Sequence, residues 1–514
     1  MNSDLILEKK IIYLVNEFKS RNYDLVINQI KQLTGKQYNI PIIYNLLGAS
    51  FSNINNHAEA IVAFNNALKI DSQNEEIIRN LAKSYNKLGE DKKAYECFNR
   101  AIKINPNNAD AIFGIGLLEL KKNNFQESIT KFSLAIKYNK NLFQAYYNKG
   151  IAYNYLGNLI EAQKNYFEAI NINKSYHQAY NNLGSILIKI KKTNDAIKIL
   201  EKAIEIKPNY IEALTNLGVA YLDLKKFELS VEYFDKVLSI DPFYVKAISQ
   251  KLYVKRKICD WGEEDFLNKN LNLIKNSKIE VTPWQLLSLD DDPKVEFVRA
   301  KKYGDQFLFQ DFKSIHKNSK IKLAYFSSDF YEHAGMINME GIFQNHDKSR
   351  FEVFGFDYGH FHNDKTHIRI TKYFDHFIYI DNKSDDEVIK ILTEHKIDII
   401  IHRNGYSQNS RNSLFAKKIA PLQISFLGYP GTMGVRFIDY IIADKVVIPE
   451  KNKKYFSENI IYMPNTYYPT NNKRKISYKN FNKSSLNINT NAFVFGTFNN
   501  SYKISSSEFA IWME

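Results

Sequence analysis

Cysteine is almost absent from this sequence. Cys97 and Cys259 are the only two in 514 residues, they lie far apart, and they form no CxxC. That excludes a disulfide framework and a cysteine zinc site, and it fits a reducing, cytoplasmic setting. Long apolar runs are missing as well: no stretch approaches the roughly 20 apolar residues that a membrane-spanning helix needs. The opening residues carry Asp4 and Glu8 before any sustained apolar run, so they read as neither a signal peptide nor an anchor. Acidic charge is in deficit, with a net charge of +14, but the lysines are dispersed among Asn, Ile and Tyr and form no dense basic block. The excess reads as a solvated surface, with neither nucleic acid nor membrane as a partner. No GxGxxG, GxxxxGK[ST] or HExxH occurs, which removes a dinucleotide fingerprint, a P-loop and a zincin helix.

What is present is organised around Pro421 to Asp444. There an apolar run, Leu422 to Leu427, enters the corner Gly428-Tyr429-Pro430-Gly431, and a second run follows at Tyr440 to Ala443. Glycine and proline interleaved after a buried strand mark a sharp turn, and glycine lets backbone come close to a ligand. Many such turns bind nothing, so spacing alone leaves the role of this one open.

The N-terminal half repeats. Gly48, Gly116, Gly150, Gly184 and Gly218 share a 34-residue ladder, with Ala82 on the missing rung. Twelve residues past each rung stands a small residue (Ala60, Ala94, Ser128, Ala162, Ala196, Ser230). Sixteen past it stands a large one (Phe64, Phe98, Phe132, Tyr166, Leu200, Phe234). Small residues allow two helices to cross closely, large ones fill the groove, and no unit can bury its apolar face alone. This phase resembles the tetratricopeptide repeat. It predicts six units over 41–244 and a degenerate capping unit over 1–40. Such arrays present a concave face to extended peptides. Asn148, Asn182 and Asn216 recur at 34-residue spacing and could grip peptide amides bidentately; an Asn-rich composition explains them equally well.

Residues 245–320 read as a helical junction, with Trp261 and Trp284 as large anchors. The run Asp290 to Asp292 precedes Pro293 and reads as a helix start rather than a metal site. From Ile321 the period changes. Apolar β-prone runs at Ile321–Phe326, Phe351–Phe356, Phe377–Ile380, Ile397–Ile401, Leu422–Leu427, Tyr440–Ala443 and Ile460–Met463 alternate with helical stretches such as Ser384–His395. That alternation predicts a mostly parallel sheet with helices on both faces. Candidate chemistry lies at strand ends. His333 follows the first strand, where it is either a proton-transfer group or a loop histidine. His402-Arg403-Asn404-Gly405 follows the fourth. A last strand is expected over Ala492–Phe498, with Lys503 just ahead of a helix starting near Ser505, as a phosphate-binding cation or a solvated lysine.

Several segments in order, IKLAYFSSDFYEHAG, NGYSQNSR, APLQISFLGYPGT, FIDYIIADKVVIP, YFSENIIYMPN and AFVFGTFNNSYKI, resemble the O-linked N-acetylglucosamine transferase and Spindly-type family, glycosyltransferase family 41. The resemblance implies an all-α tetratricopeptide superhelix followed by a Rossmann-like α/β lobe of a GT-B glycosyltransferase. It would place the first catalytic lobe at 321–490 and the start of a mostly absent second lobe at 491–514. It implies inverting transfer of a sugar, N-acetylglucosamine from UDP-N-acetylglucosamine in the first instance, to Ser or Thr of acceptor proteins held by the repeats. Neither cofactor nor metal is expected, and homo-oligomerisation is left open.

By the same resemblance His333 is the active-site histidine, a base or an orienter. Leu427, Gly428 and Pro430 line the donor sugar, Asn500 stands where the family often has Gln, and Lys503 stabilises the departing diphosphate. Ala334 replaces the usual proline, and His402-Arg403 replaces a more usual Asp or Asn with an apolar residue. Read this way, the chain alone is weakly active or inactive. The alternative is a non-catalytic tetratricopeptide scaffold with an incomplete transferase region, and the donor sugar, whether N-acetylglucosamine or fucose, is open.

Overall fold

The computed structural model describes residues 2–34, 40–262, 264–277, 281–287, 292–307, 309–310, 318–359, 362–381, 383–407, 410–470, 473, 478–479, 481–494, 496 and 500–514. Its contacts divide into two units, Met1–Leu183 and Gly184–Glu514.

Six helix pairs stand where the ladder predicts them: Pro41–Asn53 with His57–Ile70, Glu75–Lys87 with Asp91–Ile104, Ala109–Lys121 with Phe125–Tyr138, Phe143–Tyr155 with Leu159–Ile172, His177–Lys189 with Thr193–Ile206, and Ile211–Asp223 with Phe227–Ile240. The two halves of the sequence ladder are one contact. A Cβ built on Gly48, Gly116 or Gly150 would lie 2.6, 2.6 or 2.8 Å from the ring of Phe64, Phe132 or Tyr166. In the second unit Gly184 and Gly218 meet Leu200 and Phe234 at 2.5 Å in the same way. Each glycine is thus the floor on which the large residue of its partner helix rests.

A second 34-residue period is invisible in residue type. Arg21, Asn55, Gly89, Asn123, Gly157, Lys191, Lys225 and Cys259 all hold positive φ, between +55° and +78°, at the turn inside each pair. Only two of the eight are glycine, so the turn is imposed by the packed helices on either side. It extends the backbone phase to the pair Asn2–Lys19 and Tyr23–Thr34, and to Val245–Lys257 with Glu264–Asn276. The sequence motif fades after Pro242; the backbone repeat continues one pair further. Asp292 caps the helix Pro293–Gly304, its carboxylate accepting from Lys294 N–H at 2.9 Å. Asp290 and Asp291 lie outside the described residues.

The α/β region is a seven-stranded, wholly parallel sheet. Its strands are β1 (Ile321–Ser327), β2 (Phe351–Asp357), β3 (His376–Tyr379), β4 (Ile399–His402), β5 (Leu422–Phe426), β6 (Tyr440–Ala443) and β7 (Asn459–Tyr462), in the order β3-β2-β1-β4-β5-β6-β7. Alternate residues feed the two faces. Leu323, Tyr325, Val353, Ile401 and Phe426 pack on Met336, Met339 and Phe343 of the helix Ala334–Gln344. Ala324, Phe326, Phe354, Phe356 and Ile400 pack on Val388, Leu392, Leu414 and Phe415. Ser384 caps the helix Asp385–His395 through a full capping box with Glu387. One expected strand is not seen among the described residues. Of Ala492–Phe498, residues 492–494 and 496 are not in a strand, and Phe495, Thr497 and Phe498 lie outside the described residues. Phe493 and Val494 are 82% and 48% exposed there, so these two have no sheet partner to bury against.

The order 3-2-1-4-5 reverses direction between β1 and β4. In parallel sheets of this kind the crevice beyond the carboxyl ends of the strands at that reversal is where ligands sit. The loops after β1 and β4, and the corner after β5, all leave the sheet on that edge.

Candidate active site

A cleft of about 580 Å³ opens on this edge, within the second unit. His333 and Gly335 come to it from the loop after β1, Arg403 from the loop after β4, and Leu427, Gly428 and Pro430 from the corner after β5. Tyr467 and Tyr468, beyond β7, and Trp284 and Leu287, from the junction, form walls, and Tyr502 and Lys503 complete it. Five sequence candidates from three distant segments, His333, Leu427, Gly428, Pro430 and Lys503, therefore share one cavity. Asn500 is not among the lining residues; its carbonyl accepts from Lys503 N–H at 3.0 Å and starts the turn Ser501–Lys503.

The loops after β1 and β4 are stitched together by Asn404. Its Oδ1 accepts from Ser328 N–H (3.2 Å) and from the Tyr358 hydroxyl (2.8 Å), while its Nδ2 donates to Ser328 Oγ (2.9 Å) and Asp329 Oδ2 (3.0 Å). Ser328, Tyr358 and Asn404 are buried, and in such surroundings these bonds are strong and an unmatched group is costly. Arg403 pairs with Asp329 across the same seam. One residue back, His402 is fully buried, its ring 3.8 Å from that of Phe415. It bonds Asn412 Oδ1 through Nε2 at 3.0 Å, and burial lowers its pKa to about 4. It is a neutral structural imidazole beneath the loop, outside the cleft.

His333 caps the helix Ala334–Gln344. Its Nδ1 accepts from Gly335 N–H at 3.1 Å, and Arg403 Nη2 approaches the same nitrogen at 3.5 Å. A nitrogen that accepts from an amide holds no proton, so neutral His333 carries its hydrogen on Nε2. Burial lowers its pKa; the Asp329 charge raises it and the Arg403 charge lowers it. In this state the imidazole offers a hydrogen bond and does not take a proton at Nε2.

The corner is held from below. Leu427 adopts φ +71°, a left-handed conformation uncommon for a branched residue and a form of stored strain often found at functional sites. Tyr429 is buried beneath it, 5.6 Å ring to ring from Tyr406 and 6.3 Å from Trp284. A Cβ on Gly405, itself at φ +53°, would meet Tyr429 Cβ at 2.3 Å, and one on Gly428 would meet the Arg403 carbonyl at 2.2 Å. Further along, buried Glu458 accepts from Thr432 Oγ1 and Met433 N–H, both at 2.6 Å, and burial raises its pKa.

Lys503 is placed by the last helix pair in phase with the repeats. Ser501 Oγ donates to the Lys257 carbonyl (2.7 Å), and Trp261 Nε1 donates to the Ile504 carbonyl (3.1 Å). The Lys257 ammonium lies 4.5 Å over the ring of Tyr502. The following helix, Ser506–Met513, opens on a capping box: Glu508 N–H donates to Ser505 Oγ, and the Glu508 carboxylate accepts from Ser505 N–H at 2.8 Å.

The peptide candidates bond within the repeats. Asn148 Nδ2 donates to the Gln144 carbonyl (2.8 Å), and Asn182 Nδ2 donates to the Tyr147 hydroxyl (3.2 Å). Asn80 Nδ2 likewise donates to Asn45 Oδ1 (3.2 Å), so part of the ladder ties one repeat to the next. Asn216 is half-buried in the second unit. The sequence singles out Trp284 only as an anchor and Arg403 only as a polar residue at a strand end, and it does not single out Tyr467 or Tyr468. A Tyr-Tyr pair in the loop that follows β7 is the available signal for two of them.

Two parts of the chain match known families. Residues 294–483 match the family Glycosyl transferase family 41. Residues 42–74, 76–108, 143–176, 177–210 and 211–244 match Tetratricopeptide repeat families. A relative in Arabidopsis thaliana, the probable UDP-N-acetylglucosamine–peptide N-acetylglucosaminyltransferase SEC, is 31% identical over 198 residues, 38% of this chain and 20% of that protein. The UDP-N-acetylglucosamine–peptide N-acetylglucosaminyltransferase of Caenorhabditis elegans is 35% identical over 158 residues, 30% of this chain and 14% of that protein. The matched stretch is thus about a fifth or less of these relatives' length. A Thermobaculum terrenum O-GlcNAc transferase structure aligns over 72% of this chain and 65% of its own, at 16% identity and a TM-score of 0.44. Among the described residues no helix is long and apolar enough to cross a membrane.

Proposed function

We propose that this chain serves protein O-glycosylation, because residues 294–483 match glycosyltransferase family 41 and tetratricopeptide repeats stand ahead of them. The reading is inverting, metal-independent transfer of a sugar, N-acetylglucosamine from UDP-N-acetylglucosamine first among the candidates, to Ser or Thr hydroxyls. The observation that carries it is the single cleft shared by His333, Leu427, Gly428, Pro430 and Lys503. The acceptor oxygen bonds to the anomeric carbon as the bond to the diphosphate breaks. The electron pair leaves with the nucleotide, and the hydroxyl proton passes to water. Negative charge grows on the diphosphate, and the Lys503 ammonium is the group suited to meet it. Gly428, having no side chain, lets the sugar lie against the corner, and His333 orients it by donating from Nε2. The cytoplasm is the setting that two unpaired cysteines favour.

On this reading the repeats hold the acceptor, with Asn148, Asn182 and Asn216 binding its backbone. An Asn amide has two N–H donors and an acceptor oxygen, and the bond to Gln144 takes one donor of Asn148. Replacing all three by Ala should weaken binding of a Ser/Thr-rich acceptor peptide; unchanged affinity removes the ladder from the mechanism.

Thermal unfolding with and without UDP-N-acetylglucosamine tests the donor site. Ligand at 100 times its Kd stabilises a folded protein by about 2.7 kcal/mol. The intact chain should show that shift and Lys503→Ala should lose most of it. No shift with any nucleotide sugar would leave the repeat scaffold as the better description.

A further inference from the structure

The residue that distinguishes this cleft is Arg403. Its side chain runs along the cleft floor from the corner to the histidine. Near its root its Cγ lies 3.2 Å from a Cβ built on Gly428, and at its tip Nη2 would lie 1.7 Å from one built on Gly335. The two glycines are thus the space through which it passes. It lines the cleft yet is only 4% exposed. Nη1 pairs with Asp329 and stands 3.4 Å from Ser327 Oγ, Nη2 stands 3.5 Å from His333 Nδ1, and Nε is buried with no hydrogen-bond partner. Asp329 is itself held by Asn404 Nδ2 and Ser328 Oγ, at 3.0 and 2.8 Å. The guanidinium therefore cannot swing away, and an arginine fork can serve a carboxylate and a second acceptor at once.

We propose that Arg403 is a positioning residue for His333: clamped by Asp329 and facing Nδ1, it holds the imidazole as the neutral, Nε2-protonated donor presented to the sugar. This rests on the sugar-transfer reading above for its use, but not for its geometry. The groups facing His333 are Asp329 and Arg403 from the two loops, the amide of Gly335 from its own helix, and Tyr331, whose ring lies 5.7 Å away and stacks on His362 at 4.1 Å. Lys503 lines the same cleft. Asp329 alone would favour the imidazolium; Arg403 cancels it. Gly335 N–H fixes which nitrogen is bare, and Arg403 keeps it so as the pH falls.

The test is a pH titration of the free chain labelled with nitrogen-15 histidine, with His333 assigned through His333→Gln. In the wild type the Nε2-protonated tautomer should persist below the ordinary histidine range. Arg403→Met leaves Asp329 uncompensated, and the midpoint should rise by about 1–3 pH units, the usual effect of an opposite charge at this range. Arg403→Lys keeps a cation beside Asp329 but has one nitrogen where arginine has a fork reaching both Asp329 and Nδ1, and the midpoint should rise by less. Should Arg403→Met fail to fold, Arg403→Lys decides. An unmoved His333 midpoint in the variants that fold overturns the assignment. The readout needs no donor, so a chain that shifts as expected yet ignores UDP-N-acetylglucosamine defeats the sugar-transfer reading and leaves this one standing.

Discussion

Two buried groups near the sheet edge pull stability in opposite directions with pH. Asp357, at the end of β2, is 1% exposed, and burial, with Asp381 and Asp329 nearby, raises its pKa to about 7. In the unfolded chain it titrates near 3.8. Between those values the folded protein binds the extra proton, so stability falls as pH rises through 7. The full effect is about 4 kcal/mol at 1.36 kcal/mol per unit. His402 has the opposite sign. It is neutral when folded down to about pH 4 and protonates near 6.5 when unfolded, so stability falls as pH drops between them, by about 3 kcal/mol in all. Between pH 4 and 6.5 the two slopes oppose each other. Asp357→Asn, whose amide oxygen can still accept from Gly359 N–H, should separate them. We expect a gain of about 2–4 kcal/mol at pH 8, together with a steeper loss on acidification from 6.5 to 4 than the wild type shows. Urea midpoints across that range read both, and a variant whose profile parallels the wild type would show that Asp357 is already ionised.

At the scale of the element, the glycine ladder makes a sharp claim. Gly116→Ala gains up to about 1 kcal/mol of helix propensity but drives a Cβ to 2.6 Å from the ring of Phe132, which is wholly buried. Overpacking of this kind costs about 1–3 kcal/mol, so the net change should be destabilising. Adding Phe132→Leu should recover part of the loss in the double variant, since Leu200 fills that role against Gly184 in another repeat. Denaturant titration of the four species reads the coupling, and simple additivity would mean the ring and the glycine do not share one space. This contact was legible in the sequence because packing fixes residue size at both ends of it. The strands were legible for a related reason: runs buried on both faces are apolar throughout, and β6 falls on the expected Tyr440–Ala443. The left-handed turns at Arg21 and Cys259 were not, because packed helices force that conformation on whatever residue stands there. Arg403 was visible as a departure, but its partner Asp329 is 74 residues away, and only the neighbouring of β1 and β4 brings them together.

Across the second unit, the last helix pair in phase with the repeats does more than follow them, because it carries the segment bearing Lys503. Trp261 and the Lys257 carbonyl hold Ile504 and Ser501 on either side of that lysine, and Tyr253 packs 5.5 Å ring to ring on Tyr502. The lysine ammonium itself is exposed, so its place in the cleft depends on these backbone anchors and not on burial of its own. Trp261→Phe keeps an aromatic ring near Phe509, now 5.2 Å away, and removes only the N–H. A single neutral hydrogen bond contributes about 0.5–1.5 kcal/mol. The variant should therefore bind UDP about 2–10-fold more weakly if the anchor positions the cation, with little change in unfolding temperature. Ser501→Ala should act in the same direction. In a Lys503→Ala background neither should weaken binding further, because the group they position is gone. Isothermal titration of UDP against the wild type, the three single variants and the two double variants measures this directly. If the anchor substitutions cost the same with and without the lysine, the helix pair stabilises the fold and has no part in holding the charge.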